Sequence, residues 1–363
     1  MMTNTIKQYD MRDEVTRRRV FWLLQRVTSF SLWKRKRDAF SVFARAYENA
    51  VKTWPANDPE VVDADSLEVI CEILSDFDKG IAELAKGCRF VWRVEQPLER
   101  AVNRFAELAS SFYRHPRYWE HGGQTAPYPP KIDALYQAMR ASQFQMDDAP
   151  LEVWSSGKIA NLESPDSLLD PDNYDHGFYK LAFPKFPDFL PAVPNPPGPV
   201  IRSGEIVPCD GIWEPIDIAF DRGRSAESVG GREGNNGCFN YFVAETEAPN
   251  LSSVDDATLQ LIAEPTCWRL LWRDERYRDG VIGDESQFFL KSDDESVASP
   301  AIEVPLVRTS DICPLSGEWR TDEYGGKTIS VERGATMPDM LVRGATGELI
   351  VHWVTWRLIK KRE

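Results

Sequence analysis

The sequence predicts an α+β protein: an N-terminal helical bundle followed by a mainly antiparallel β domain built from two related Gly-x-Trp…Pro…Trp-Arg-Leu units. Three observations lead there. Apolar residues recur at helical spacing up to about residue 145, a proline-dense stretch follows, and strand-sized apolar runs fill the remainder with one pattern occurring twice.

The clearest helix is the stripe Leu67, Ile70, Leu74, Phe77, Ile81 and Leu84, spaced 3, 4, 3, 4, 3. Asp65 is placed to accept from first-turn N–H groups, Glu68 completes a capping-box pattern, and Gly87 supplies a left-handed stop. Further stripes run through Phe40, Phe43, Tyr47 and Val51 and through Leu98, Val102, Phe105, Leu108 and Phe112. Another helix is expected after Pro129 and Pro130, with Ile132, Leu135, Tyr136 and Met139 on one face. Together they suggest a bundle over residues 1–148.

Eleven prolines lie between Pro165 and Pro215, seven of them between Leu181 and Val200, a density that neither helix nor central strand tolerates. Phe183, Phe186 and Phe189 alternate with Pro184, Pro187 and Pro191, so residues 149–200 are expected to be a semi-rigid connection held down by its Phe side chains. The β domain then covers 201–363, with tandem units at about 206–273 and 310–360.

Strand-sized runs in that domain include Phe239 to Ala244, Leu259 to Ala263, Trp268 to Trp272 and Leu349 to Trp356, several alternating with period two. Cys209, Gly211, Trp213, Pro249 and Trp268-Arg269-Leu270 recur in order as Cys313, Gly317, Trp319, Pro338 and Trp356-Arg357-Leu358. From Pro to the second Trp is 19 residues in one copy and 18 in the other, whereas from the first Trp to Pro is 36 against 19. The excess of 17 matches Asp221 to Gly237, a segment with five glycines that reads as a loop inserted into one copy. A Gly before a Trp allows a tight turn or close backbone approach, and the Trp supplies much of a small core. Gly211, Trp213, Pro249, Trp268, Gly317, Trp319, Pro338 and Trp356 are therefore expected to be structural, as are the cysteines that open each copy.

At 363 residues, 42% apolar and 28% charged, the chain is too long for one ordinary core and too apolar for disorder. The net charge of −14 argues against a general nucleic-acid or anionic-membrane binder. Residues 1–150 hold 22 Lys and Arg against 21 Asp and Glu, leaving 21 against 36 for residues 151–363. Residues 1–52 carry 12 basic against 5 acidic side chains, including Arg17, Arg18, Arg19 and Lys34 to Arg37, and are expected to dock against the acidic second domain. No run approaches the roughly 20 apolar residues a membrane span needs. The six cysteines show no Cys-x-x-Cys pair and read as reduced, mostly buried thiols, with the cytoplasm as the expected compartment. Four scattered histidines give no metal-ligand spacing, there is no Gly-x-Ser-x-Gly elbow, and Gly231 to Gly237 lacks the Lys-Ser/Thr ending of a phosphate loop. Adjacent carboxylates such as Asp255 and Asp256 read as solvated loops, so no catalytic residue, metal or cofactor is expected.

Pro208, Cys209, Gly211, Ile212, Trp213, Glu214 and Pro215, then Gly237, Cys238, Asn240, Tyr241, Ala248 and Pro249, and finally Cys313, Pro314, Ser316, Gly317, Trp319, Met337 and Pro338 form a pattern of their own. It resembles the Imm71/Imm72 type of immunity protein, found beside toxins in bacterial polymorphic toxin and type VI secretion systems. The resemblance covers about residues 200–360 in motif and the helical half in general texture, and departs at Glu245, where a small residue is expected. It implies a non-enzymatic protein that binds and neutralises a cognate effector toxin domain. Asp221, Arg224, Glu227, Arg232 and Glu233 of the inserted loop are the expected partner-binding residues, because the other copy dispenses with that loop. The alternatives are a hydrolase-type enzyme that reverses a toxin's modification and an adaptor or chaperone scaffold. Oligomeric state is not legible.

Overall fold

The computed structural model describes residues 9–56, 61–112, 130–143, 146, 149–151, 159–176, 179–180, 183–195, 198–216, 235, 237–254, 261–290, 306–321, 326–343, 349–352 and 354–362. Helices come first: α1 (Glu14–Val27), α2 (Phe30–Thr53), α3 (Asp65–Leu84), α4 (Pro97–Phe112), α5 (Pro130–Arg140) and the single turn α6 (Asp166–Leu169). Antiparallel β structure follows, so the α+β class and its order stand as the sequence predicts. No helix among the described residues is long and apolar enough to cross a membrane.

The stripe on α3 buries Ile70, Phe77 and Leu84, with Ile73 beside them. It ends at Gly87, whose φ of 80° lets its own N–H reach Leu84 O at 2.9 Å and Cys88 N–H reach Glu83 O at 3.1 Å. Its start differs from expectation. Asp65 is the first helical residue, and it is Asp63, two positions earlier, whose carboxylate accepts from Asp65 N at 2.9 Å.

The described chain divides into two compact units, one of residues 1–34, 76–100 and 145–290, the other of residues 35–75, 101–144 and 291–363. The first holds α1 and the strands β3 (Val200–Arg202), β4 (Gly211–Ile216), β5 (Asn240–Phe242), β6 (Leu251–Val254), β7 (Leu261–Glu264) and β8 (Cys267–Arg273), preceded by the short pair β1 (Asp175–His176) and β2 (Tyr179–Lys180). The proline stretch also belongs here. Phe183 packs on Tyr174 with ring centroids 5.0 Å apart and Phe186 on Trp22 at 5.2 Å, while Phe189 is 92% exposed and anchors nothing.

The second unit holds α5, the strands β9 (Leu306–Arg308), β10 (Gly317–Thr321), β11 (Lys327–Val331), β12 (Met340–Arg343), β13 (Leu349–His352) and β14 (Thr355–Lys361), and an aromatic cluster in which Phe40, Phe43 and Tyr47 meet Phe105 and Phe112 at 5.4–6.0 Å. The run Leu349 to Trp356, read from sequence as one segment, is two strands, because the chain turns between β13 and β14.

The two sets of six strands have one topology. The first sheet is ordered β3-β8-β4-β5 and the second β9-β14-β10-β11, each accompanied by a hairpin, β6-β7 or β12-β13. Register agrees residue by residue: Trp213 faces Leu270 and Glu214 faces Arg269, as Trp319 faces Leu358 and Arg320 faces Arg357. Both central pairs carry a bulge at the same step, between Ile212 and Trp213 and between Glu318 and Trp319.

Side-chain hydrogen bonds repeat too. Ser203 Oγ donates to Pro249 O (2.8 Å) and accepts from Thr266 N (3.0 Å), and Thr309 Oγ1 does the same with Pro338 O (3.3 Å) and Val354 N (2.9 Å). Trp268 Nε1 donates to Pro249 O and Trp356 Nε1 to Pro338 O. Each Pro therefore lies where its carbonyl serves two donors. All four Trp rings are fully buried, in one core with Phe242 and Val207 and in the other with Met337 and Met340.

This geometry corrects the pairing of the cysteines. Val207 O accepts from Glu245 N as Cys313 O accepts from Gly334 N, so Cys313 corresponds to Val207, and Cys209 to Leu315. The pocket needs a small apolar side chain, which a thiol and an isopropyl group both provide. The same bonds show that the turn at Glu245 is kept, with φ of 66° where the second copy has Gly334 at 86°.

Candidate functional site

The inserted segment leaves the first sheet after β4 and rejoins it near β5. Its foot is tied down: Ile216 and Asn235 form an isolated antiparallel bridge, and Asn235 Nδ2 donates to Glu214 Oε1 at 2.9 Å. Gly237 N in turn donates to Asn235 Oδ1 at 3.2 Å. Glu214, only 1% exposed, also accepts from Arg17 Nη1 of α1 at 2.6 Å and from Arg269 of β8. One carboxylate thus joins a helix, a neighbouring strand and the foot of the insertion.

Burial pushes the Glu214 carboxyl up, but the hydrogen bond and charge of Arg17, followed by those of Arg269, more than offset it and hold the group below the usual carboxylate range. Arg17 lies with its guanidinium 4.7 Å from the Phe239 ring centre, so its flat face is covered as well. Of the basic N-terminal cluster, this residue meets an acidic group of the β region.

A cleft of about 570 Å³ opens beside the foot, between Tyr9 to Arg12, the segment Ala160 to Pro165 and Asn235, Gly237, Cys238, Leu251 and Ser252. Asp10, Arg12 and Glu163 line it, and Arg12 pairs with Asp10 at 2.9 Å in an exposed position. A wall of mixed charge with apolar Leu251 suits polar recognition of a surface. Among the described residues no three His, Cys, Asp or Glu side chains are grouped to hold a metal.

A second cleft of about 630 Å³ lies over the loop from Glu275 to Phe288. The loop is fixed from beneath by Asp274, which accepts from Arg89 at 3.0 Å, Arg276 at 2.8 Å and the Tyr241 hydroxyl at 2.8 Å. Burial raises Asp274, the hydrogen bond and charge of Arg276 with the charge of Arg89 lower it further, and the net effect is a carboxyl below its ordinary value. Arg276 also donates to Gln25 O and Thr28 O, so its cation sits at the C-terminal carbonyls of α1, where the helix dipole favours it. Tyr277, its hydroxyl pushed up to about 12 chiefly by burial, donates to Glu285 and accepts from Phe30 N at 3.0 Å. These networks tie a surface loop to the sheet and to α1: Asp274 is engaged by Arg89 and Arg276, and Glu285 by the Tyr277 hydroxyl and Ser31 N.

The partner-binding residues expected from sequence, Asp221, Arg224, Glu227, Arg232 and Glu233, lie outside the described residues. The motif residues sit where both copies need them: Gly211 and Gly317 lie against the backbone of Trp272 and Lys360, and Pro249 and Pro338 receive the indole N–H groups. Sequence reasoning missed Glu214, Asn235, Arg17 and Arg269 as a group. The available signal was a charged residue between Trp213 and Pro215 in an apolar strand, but its helical partner is 197 positions away.

Compared with known families, residues 11–124 match Immunity protein 71 and residues 193–290 match Immunity protein 72. The matched spans take in the helical front and the first β unit, and the second β unit lies outside both. No curated protein and no solved structure matches the chain.

Proposed function

We propose that this chain, an immunity protein by its match to Immunity protein 71 and Immunity protein 72, binds a cognate effector toxin domain of a polymorphic toxin or type VI secretion system and neutralises it by stoichiometric complex formation. The observation that carries the reading is the pair of family matches, which together take in α1 to α4 and the first β unit. It acts by occlusion, without turnover, in the cytoplasm, where its six free thiols stay reduced. The inserted loop, with Asp221, Arg224, Glu227, Arg232 and Glu233, is part of the interface. Its foot supports this role, because the Ile216–Asn235 bridge and the Asn235–Glu214 hydrogen bond tie the loop to the end of β4 and lower the ordering cost of binding.

The test is a titration. The toxin domain that co-purifies with the tagged chain is mixed with rising amounts of the chain, and toxin activity is followed. Loss of activity is expected to be complete at about one equivalent and to be linear up to that point. Full protection far below one equivalent would replace occlusion with an enzymatic activity, and several abundant partners without any toxin would favour an adaptor.

A further inference from the structure

Each β unit carries a pair of turns at one end, and the hydrogen bonds that lock the two turns together align the copies residue by residue. Gly204 N donates to Ala248 O at 2.8 Å as Ser310 N donates to Met337 O, and Ala248 N donates to Glu205 O as Met337 N donates to Asp311 O. Ile206 bridges Glu247 as Ile312 bridges Thr336. Gly204, Glu205, Ile206, Glu245 and Glu247 of the first unit therefore correspond to Ser310, Asp311, Ile312, Gly334 and Thr336 of the second.

The two ends are covered differently. In the second unit Ser310 and Gly334 are buried, and Asp311, Ile312 and Thr336 are half-buried. Helices of that same unit lie over them: a Cβ on Gly334 would stand 3.6 Å from Val42 of α2, and Lys131 of α5 pairs with Asp339 at 3.3 Å, its ammonium 5.3 Å from the Trp54 ring centre. In the first unit all five positions are exposed, and a Cβ on Gly204 would meet nothing within 4 Å. One exposed isoleucine is ordinary on a protein surface, but Ile206, at 59% exposure, has a twin that lies under helices. It borders a cavity of about 180 Å³, which Leu151, Glu245 and Glu247 also line. Where the covered end has Asp311, Gly334 and Thr336, the open end has three glutamates, with Arg93 and Arg202 as the described cations beside them. Their local contacts leave them accessible: Glu205 accepts from Arg202 N at 2.8 Å in an exposed position, and Glu245 lies 3.9 Å from Arg93 with its side chain 77% exposed.

We infer that the turn pair of the first β unit, residues 204–206 with 245–247, is the seat for a basic helix of the bound toxin, packed on Ile206 and turning Lys or Arg side chains toward Glu205 and Glu245. That the occupant is a toxin rests on the immunity reading; that it is a basic helix rests on the helices over the equivalent turns, on the lysine they bring to Asp339, and on the glutamates of the open end. The open turns lie within the span matched by Immunity protein 72, and the covered ones lie outside both matches. Strand β4 runs from this end, where Gly211 faces Phe242, to the foot of the insertion at Ile216. Its length is about 20 Å, so one partner surface of about 800 Å² reaches both the turns and the inserted loop.

The experiment uses the full chain with Glu205→Lys and Ile206→Lys together, and Glu107→Lys on the exposed side of α4 as the control for added charge. Affinity for the co-purified toxin domain is expected to fall at least tenfold in the double variant and to stay within twofold in the control. In the wild-type complex, hydrogen exchange is expected to show new protection of the amides of residues 203–207 and 243–248. Tight binding by the double variant, or no protection there, would overturn the seat and leave the immunity reading intact. Thermal unfolding checks the internal template: Ile312→Lys is expected to lower the midpoint and Ile206→Lys to leave it unchanged, and an unchanged midpoint for Ile312→Lys would overturn the inference. If the wild-type chain captures no toxin, the immunity reading fails and a second probe decides the seat: a lactam-bridged helix of the sequence Pro130–Arg140, with its Lys131 and Arg140. Binding of that peptide to the wild-type chain, lost in the double variant, supports the seat, and no binding overturns it. Self-association of the chain that the double variant abolishes also overturns it, because the occupant would then be a second copy.

Discussion

A Cβ at Gly211 would lie 2.1 Å from Trp272 O, and one at Gly317 would lie 2.3 Å from Lys360 O. Neither oxygen can retreat without breaking the central strand pair. Gly211→Ala and Gly317→Ala are each expected to destabilise their unit by about 2 kcal/mol or more, read as a lower denaturant midpoint. Equal stability would mean that the bulge beside each glycine absorbs the methyl group. Glu214 poses the complementary case of a charge that must be present. Its folded pKa is lowered, so its contribution is complete above the unfolded value of about 4.3 and is lost as pH falls through the folded value. Glu214→Gln leaves Arg17 and Arg269 buried beside a neutral amide and is expected to cost about 3 kcal/mol at pH 7. The gap from wild type should narrow below about pH 4. Unfolding curves at several pH values check this, and a gap that does not change with pH would show that the carboxyl is not ionised in the fold.

Among the elements, the inserted segment is the one the shared topology does not require, because the second copy reaches that topology without it. Replacing Asp221 to Gly234 by a short glycine linker, with Asn235 kept, is expected to preserve the unfolding midpoint and weaken toxin binding at least tenfold. Unaltered protection would remove the loop from the interface. Asn235 has to stay, because its hydrogen bond to a buried carboxylate is worth about 1.5–3 kcal/mol. The helix α3 was legible in sequence, since its apolar spacing and Gly87 depend only on local geometry. Its start is not where the pattern put it: Asp65 is already helical, and Asp63 accepts from Asp65 N just ahead of the helix, a choice set by the backbone path. Cys209 and Cys313 were matched by identity, whereas the fold matches by volume and backbone position, which pairs Cys313 with Val207.

For the molecule as a whole, charge and chain division follow different rules. The excess of 36 acidic over 21 basic residues in 151–363 favours a basic partner through its long-range field. The titration repeated at rising salt tests that field, because salt screens exposed charges and slows a charge-steered encounter. The compact units cut across the texture of the chain. Their borders at 34/35 and 75/76 fall inside α2 and α3, with no proline or glycine at either border.

The sequence by itself determined the α+β class, the helical periods, the two related β units, the inserted segment and the resemblance to immunity proteins, because each of these is written in local spacing or in repeated motifs. Only the tertiary structure decided which cysteine corresponds to which apolar residue, which carboxylate receives Arg17, and which strand residue meets Phe21 of α1. Those outcomes depend on contacts between residues tens to hundreds of positions apart, and periodicity along a chain carries no record of what will pack against each face.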